Sequence, residues 1–232
     1  MKTIFLYGVR RSGNHFIISV ILQHFSNYVH INDSYISYDQ YMKYKDIEKY
    51  ENHCDHKWTG FKNVDCVLIS IENKPIEKDE VDKFKDIEGC YFLSLLRCPY
   101  TQFSSAWKTY DKDSNRMREI LKLWKLYANH FLEDDNQFIK ILYDEFASND
   151  DYIVDTIQKL GCIFNKSIDK NKTIKWQRSS FDAKSDKKAQ VYKTLEDCIY
   201  KDDKAFVSLA SDPEIKTLWE RCIVKIKSQK YN

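Results

Sequence analysis

The sequence predicts an α/β domain built on a doubly wound parallel sheet with helices on both faces. Residues 3–7 form a short β-branched and aromatic run that ends at Gly8, and residues 90–96 form a near-continuous apolar strand before Pro99. Helical spacing follows each strand, and alternating strands and helices favour right-handed crossovers between parallel strands. No repeat or proline-rich linker divides the chain, so a single domain spanning 1–232 is predicted.

Further elements follow from hydrophobic periodicity. After Gly13 the apolar residues recur at helical spacing: Phe16, Ile17, Val20, Ile21, Leu22 and Phe25. Residues 32–52 have no sustained period and are interpreted as a variable lid or acceptor-side segment. The remaining predictions are β structure over 58–70 with a turn near Asn63, a helix from Pro99, a helix over 116–132, a strand over 138–143, and a helix over 151–160 stopped by Gly161.

Composition narrows the class of protein. The 232 residues are 43% hydrophobic, which is typical of a globular chain, and the net charge of +2 shows no general signature of nucleic-acid binding. The seven cysteines include no Cys-x-x-Cys pair and are expected to be reduced. Because no signal peptide or membrane span is evident, a soluble cytoplasmic protein is expected.

The strongest candidate for a phosphate-binding site is the segment Gly8-Val9-Arg10-Arg11-Ser12-Gly13-Asn14-His15. Two glycines five positions apart between a strand and a helix match half of the Walker A pattern, in which backbone N–H groups and the helix dipole hold phosphate. A plain tight turn is the alternative. Two adjacent arginines beside a helix N-terminus favour a bound anion, because the dipole already places positive charge there. The sheet is therefore expected to be of P-loop type.

The magnesium half of the Walker pattern is missing. Asn14 and His15 stand where a nucleoside-triphosphate enzyme has Lys and then Ser or Thr. No strand ends in an apolar run followed by Asp, and residues 90–96 lead into Arg97 instead. Phosphate binding without a metal is therefore expected. The string His53-Cys54-Asp55-His56 has no matching partner pair, which argues against zinc.

Residues 11–15, Arg-Ser-Gly-Asn-His, resemble the loop of the sulfotransferase family, in which Lys or Arg precedes Ser-Gly-Thr-Thr. That resemblance implies that 3′-phosphoadenosine 5′-phosphosulfate (PAPS) is the co-substrate and that 3′-phosphoadenosine 5′-phosphate (PAP) is the product. It implies that the loop residues Arg10, Arg11, Ser12, Gly13, Asn14 and His15 bind the nucleotide.

Leu96-Arg97-Cys98-Pro99 and Ser105 resemble a second family motif, in which an Arg and a Ser eight residues on bind the 3′-phosphate. The alternatives are a surface salt bridge for Arg97 and a backbone-bonded helix hydroxyl for Ser105. Weaker resemblances complete the set: Gly60-Phe61-Lys62 to a second-strand lysine, Tyr143-Asp144-Glu145-Phe146 to a strand-end turn, and Arg178, Ser179 and Ser180 to a late loop over the 3′-phosphate end.

Sulfuryl transfer needs stabilisation of the leaving group and one base. Arg11 and Lys62 are expected on the leaving-group side, with a solvated lysine as the alternative for Lys62. The resemblance implies Asp33 as the candidate base, because some members of the family have a carboxylate after the first helix; an N-cap or turn aspartate is the alternative. His30, His53 and His56 lie nearby in the sequence. The acceptor is expected to be a small molecule, a carbohydrate or a peptide. An inactive nucleotide-binding module and a small-molecule kinase are the competing functions, and the oligomeric state is left open.

Overall fold

The computed structural model describes residues 1–33, 36–45, 49–51, 57–59, 63–164 and 193–229. Seven strands are present in that part of the chain: β1 Lys2–Gly8, β2 Tyr28–Ile31, β3 Lys49–Glu51, β4 Lys57–Thr59, β5 Cys66–Glu72, β6 Cys90–Leu96 and β7 Phe138–Leu142. The helices are α1 Asn14–Leu22, α2 Tyr38–Tyr44, α3 Lys78–Phe84, α4 Pro99–Thr109, α5 Ser114–Leu132, α6 Tyr143–Ser148, α7 Asp150–Lys159, α8 Lys204–Ala210 and α9 Pro213–Gln229.

Five strands form one parallel sheet in the order β2-β5-β1-β6-β7, and β3 and β4 form a separate antiparallel pair. The predicted doubly wound α/β fold is confirmed. Strand β1 is central, and its register pairs Gly8 with Glu72 on one side and with Leu95 on the other. The loop after Gly8 therefore leaves the carboxyl edge of the sheet between the ends of two neighbouring strands, which is where open α/β sheets bind ligands.

The side chains of β1 alternate between two buried clusters, one on each face of the sheet. Phe5 lies on one face, with its ring centroid 4.7 Å from that of Phe84 and 5.3 Å from that of Phe92. Leu6 lies on the other face, in the cluster that contains the buried residues of α1. This burial on both faces explains why the strand sequence is almost uninterrupted in apolar character.

One prediction from the sequence was wrong in detail: the β structure expected over 58–70 is divided between β4 and β5, while the turn near Asn63 is confirmed by its positive φ of 73°. Residues 32–52, interpreted as a variable lid or acceptor-side segment, contain β3 and α2, and α2 begins with a capping box between Ser37 and Gln40. These two elements were not predicted from the sequence, nor were β2, α3, α6, α8 and the 17-residue α9.

In the described ranges no helix is both long and apolar enough to cross a membrane. The six cysteines that fall within them are free thiols, and four of these are buried.

Candidate functional site: the loop between the first strand and helix

In the loop that joins β1 to α1, the sign of the backbone angle φ alternates from residue to residue over positions 10–13. Arg11 and Gly13 have positive φ values of 68° and 96°, while Arg10 and Ser12 do not. Alternation of this kind is typical of the backbone nests that bind anions. Within the loop, the backbone N–H of Ser12 donates to the carbonyl of Val9 at 3.1 Å. At Gly8 a Cβ atom would approach Asn14 Oδ1 to 2.4 Å, so the strand end and the start of the helix lie too close for any side chain there.

Two side chains from α4 and the end of β6 hold this loop by its carbonyl groups. Gln102 Nε2 donates to the carbonyl of Arg10 at 2.9 Å, and Arg97 Nη1 donates to the carbonyl of Arg11 at 3.0 Å. Arg97 is in turn fixed through its own carbonyl, which accepts a bond of 3.0 Å from the buried Trp124 Nε1. The loop conformation therefore depends on a segment about ninety residues away in the sequence.

Arg97 and Ser105, the two residues of the second motif, meet the phosphate loop through Arg11. Arg97 is 8% exposed, which excludes a surface salt bridge, and Ser105 is 3% exposed. Arg11 Nε donates to Ser105 Oγ at 3.0 Å. Burial leaves Arg97 Nε and His15 Nδ1 without a hydrogen-bond partner in the described part of the chain, so both atoms have capacity for a ligand.

The strand-end turn after β7 packs beneath the loop. The Tyr143 ring lies 4.4 Å from the guanidinium carbon of Arg97, in the arrangement of a cation–π contact. Asp144 Oδ2 accepts the backbone N–H of Cys98 at 2.9 Å. Burial raises the pKa of Asp144, although the Cys98 bond and the charge of Arg97 oppose that shift. This turn therefore positions the β6–α4 junction that carries Arg97.

Asp33, the candidate base, lies beside the phosphate loop. Its Oδ2 accepts a bond of 2.6 Å from Arg10 Nη2, and this bond raises the pKa of Arg10 against the opposing effect of burial. The backbone N–H of Asp33 donates to Ser70 Oγ at 3.3 Å, and the residue has a positive φ of 49°. The structure therefore brings Asp33 and Arg10 together, with Asp33 in a turn.

His30 occupies a different environment from Asp33. It is 1% exposed, and its Nε2 lies 3.2 Å from Ser70 Oγ. Burial lowers the pKa of His30 to about 3, with a smaller contribution from the charge of His15. His30 is therefore a neutral, buried imidazole that contacts Ser70 Oγ. Its burial leaves it out of reach of an acceptor molecule.

Glu72 was missed in the sequence. No strand was expected to end in an apolar run followed by Asp, and Glu was not considered; β5 ends in Glu72, directly adjacent to Gly8. Its Oε1 accepts a bond of 2.7 Å from Asn14 Nδ2, and its Oε2 lies 3.7 Å from Arg10 Nε. The apolar run 66–71 followed by an acidic residue was the available signal. Because only Asp was considered at the strand ends, Glu72 was not predicted as a site residue.

Several predicted site residues fall outside the described residues: Lys62, Arg178, Ser179, Ser180, His53 and His56. The strand that adjoins β1 ends at Glu72, so the residues that follow it at the site are Asn73 and Lys74. Asn73 Oδ1 accepts the backbone N–H of Arg10 at 3.1 Å. Asn63 lies at the opposite edge of the sheet, where its carbonyl accepts a bond of 2.7 Å from Asn27.

No protein-family model matches the sequence, and no curated protein matches it. Solved structures that are similar include a sulfotransferase from Alicyclobacillus acidocaldarius, with 15% identity, coverage of 73% of this chain and 86% of that chain, and a TM-score of 0.44. The sulfotransferase domain of the Synechococcus PCC 7002 olefin synthase is similar with 12% identity, coverage of 91% and 94%, and a TM-score of 0.44.

Replacing Gly13 with alanine is expected to destabilise the protein. A non-glycine residue at positive φ costs about 1–3 kcal/mol, and the new Cβ would lie 2.1 Å from Tyr143 Cε2. In urea unfolding, a Gly13→Ala/Tyr143→Ala double variant should lose less stability than the sum of the two single variants, because removing the ring removes the collision. Strictly additive losses would contradict the close approach.

Folding stability should fall as the pH drops below 6.5 through His30. The unfolded state binds a proton near pH 6.5 while folded His30 stays neutral down to about pH 3, so the unfolded state gains protons first. Between pH 6.5 and 5, wild type should lose roughly 2 kcal/mol more than His30→Gln in urea unfolding. His24 and His130 titrate equally in both proteins, so parallel pH profiles would refute the assignment.

Proposed function

We propose that the chain is a sulfotransferase that moves a sulfuryl group from PAPS to a hydroxyl or amine of an acceptor. The observation that carries the proposal is the joining of the two sequence motifs. The Arg11 carbonyl accepts a hydrogen bond from Arg97 Nη1, and Arg11 Nε donates to Ser105 Oγ, with both distances at 3.0 Å. A loop suited to one phosphate and a pair suited to a second thus lie next to each other, and PAPS has phosphates at both ends of its ribose.

The residues fit such a nucleotide in charge and in hydrogen-bonding capacity. PAPS supplies the activated sulfuryl group when bound. In the proposal, Ser12 to His15 hold its 5′ end, while Arg97 and Ser105 hold the 3′-phosphate. The unpartnered buried atoms Arg97 Nε and His15 Nδ1 support this assignment, because buried polar atoms normally have partners. Arg10 adds positive charge, and Arg178, Ser179 and Ser180 are proposed to contact the 3′-phosphate end.

In the proposed chemistry, Arg11 stabilises the negative charge that develops on the leaving oxygen, and Asp33 accepts the proton of the acceptor. Lys62 is not assigned this role, because Asn63, which directly follows it, lies at the opposite edge of the sheet from the phosphate loop. Arg10 Nη2, 2.6 Å from Asp33 Oδ2, holds the Asp33 side chain beside the phosphate loop. Glu72 is a second carboxylate at the same edge, but its oxygens already contact Asn14 and Arg10.

A small-molecule kinase is the competing enzyme, and Glu72 is the observation in its favour, because magnesium-dependent P-loop enzymes carry a strand-end carboxylate near the loop. Asn14 and His15 still replace the lysine and the hydroxyl residue of that machinery. Nucleotide binding in the proposed sulfotransferase needs no divalent cation, so chelation with EDTA separates the two enzymes.

The first prediction concerns the 3′-phosphate. Titration calorimetry should show tighter binding of PAP than of 5′-AMP, which lacks only that group, with or without EDTA. A charged hydrogen bond contributes about 1.5–3 kcal/mol, so Arg97→Gln should lower PAP affinity roughly 10- to 150-fold. Ser105→Ala should cost less.

The ratio of the two affinities is the decisive quantity, because Arg97 also supports the loop. Damage to the loop weakens both ligands equally, whereas loss of a 3′-phosphate contact weakens PAP alone. Equal binding of PAP and 5′-AMP by wild type would overturn the assignment of Arg97 and Ser105. Binding that requires magnesium would favour the kinase.

The second prediction concerns the base. With labelled PAPS and a panel of phenolic and sugar acceptors, Asp33→Asn should lower turnover by about 10²- to 10⁴-fold and leave PAP affinity within a few-fold of wild type. Asp39→Asn, an exposed aspartate in the first turn of α2, is the matched control. A larger loss in Glu72→Gln than in Asp33→Asn would transfer the role to Glu72. Wild-type binding without transfer to any acceptor would favour the inactive module.

A further inference from the structure

A cavity of about 580 Å³ opens beside the phosphate loop. Arg10 and Asn73 form its wall on the loop side, and the bond of 3.1 Å from the Arg10 amide to Asn73 Oδ1 ties that wall to the end of β5. Tyr110 and Arg116, from the α4–α5 connection and the first turns of α5, line the same cavity. Its volume is that of a site for a small molecule.

The far wall of the cavity is apolar. Ile120, Leu123 and Leu126 recur along one side of α5, and Pro75 lines the cavity with them. Leu126 is 47% exposed, whereas Leu121 on the core side of the same helix is 7% exposed. Leu123 is half-buried, so Leu126 is the exposed leucine of this wall. An apolar ligand that covers Leu126 would remove its side chain from water, which is favourable.

The polar residues of the cavity are mostly cationic. Arg10, Arg116 and Lys122 face one carboxylate, Glu119, in a protein whose overall charge is nearly balanced. Arg10 is already bonded to Asp33.

The other two cations, Arg116 and Lys122, can interact with an anionic ligand. Arg116 lies 5.3 Å from the ring centroid of Tyr110 and 3.8 Å from the Asp113 carboxylate, with 63% of its side chain exposed. Lys122 has no carboxylate within 4 Å in the described ranges. The apolar wall is therefore bordered by positive charge available to a ligand.

We propose that this cavity binds the acceptor, and that the acceptor is an apolar molecule carrying an anionic group in addition to its reactive hydroxyl. The inference rests on the proposed function. The apolar body lies against Leu123 and Leu126, the anionic group is held by Arg116, and the hydroxyl faces the Arg10 side, where Asp33 lies. Neutral sugars and unsubstituted phenols satisfy only part of this surface.

A matched pair of probes tests the inference: 6-hydroxy-2-naphthoate and its methyl ester, which share the ring body and the hydroxyl and differ in charge. Binding is followed by naphthyl fluorescence with no nucleotide present. Wild type should bind the acid about tenfold more tightly than the ester. Arg116→Gln should remove that preference, while Arg118→Gln, on the same helix but outside the cavity and bonded to Asn115, should retain it. Leu123→Asn should weaken both probes.

The outcomes separate the two proposals. Equal binding of the acid and the ester, or an unchanged preference in Arg116→Gln, overturns the anionic-acceptor inference. If PAPS then supplies the sulfuryl group equally well to the ester and to the acid, the proposed sulfotransferase function stands and only the anionic-acceptor inference fails. If the acid binds with the expected dependence on Arg116 but no sulfated product forms from PAPS, the cavity assignment stands and the proposed function fails.

Discussion

The hydrogen bonds that Arg97 and Gln102 donate to successive loop carbonyls constrain everything else at the site. A loop with Arg11 at positive φ is costly for an ordinary side chain, and it persists where surrounding structure fixes it. Arg97 lies in the segment that joins β6 to α4, and Gln102 lies in α4 itself. Because that segment is itself anchored by Trp124 and Asp144, the loop conformation depends on packing on both sides of the sheet.

Arg10, Arg11 and Arg97 place positive charge near the N-terminus of α1, where the helix dipole is also positive. This positive charge has to be compensated by nearby acceptors or anions. Asp33 and Glu72 compensate Arg10, while the Arg11 and Arg97 guanidinium groups contact neutral oxygens, the Ser105 hydroxyl and the Arg11 carbonyl. An anionic ligand supplies the missing charge more favourably than water does, because Arg97 is nearly buried. The buried, positively charged Arg97 next to the loop is consistent with the proposed ligand, a nucleotide with two anionic groups.

The sequence was most informative where one segment determines its own structure. The strand over 90–96 and the helix from Pro99 were predicted to the residue, because a buried apolar run and a proline at the first helical position are local signals. Strand order is not local: β5 separates β1 from β2, although β2 comes earlier in the chain. The position of Glu72 beside the loop depends on this order, because only the pairing of β5 with β1 brings Glu72 to Gly8.

Arg10 links the two halves of the site. Its backbone N–H is bonded to Asn73 and its carbonyl to Gln102, so the main chain belongs to the phosphate loop. Its side chain lines the cavity and holds Asp33, the candidate base. A nucleotide that stabilises the loop would thereby also stabilise the cavity wall and the orientation of Asp33. In the proposed enzyme, nucleotide binding would then be coupled through Arg10 to the arrangement of the acceptor site. This coupling requires no movement of the sheet.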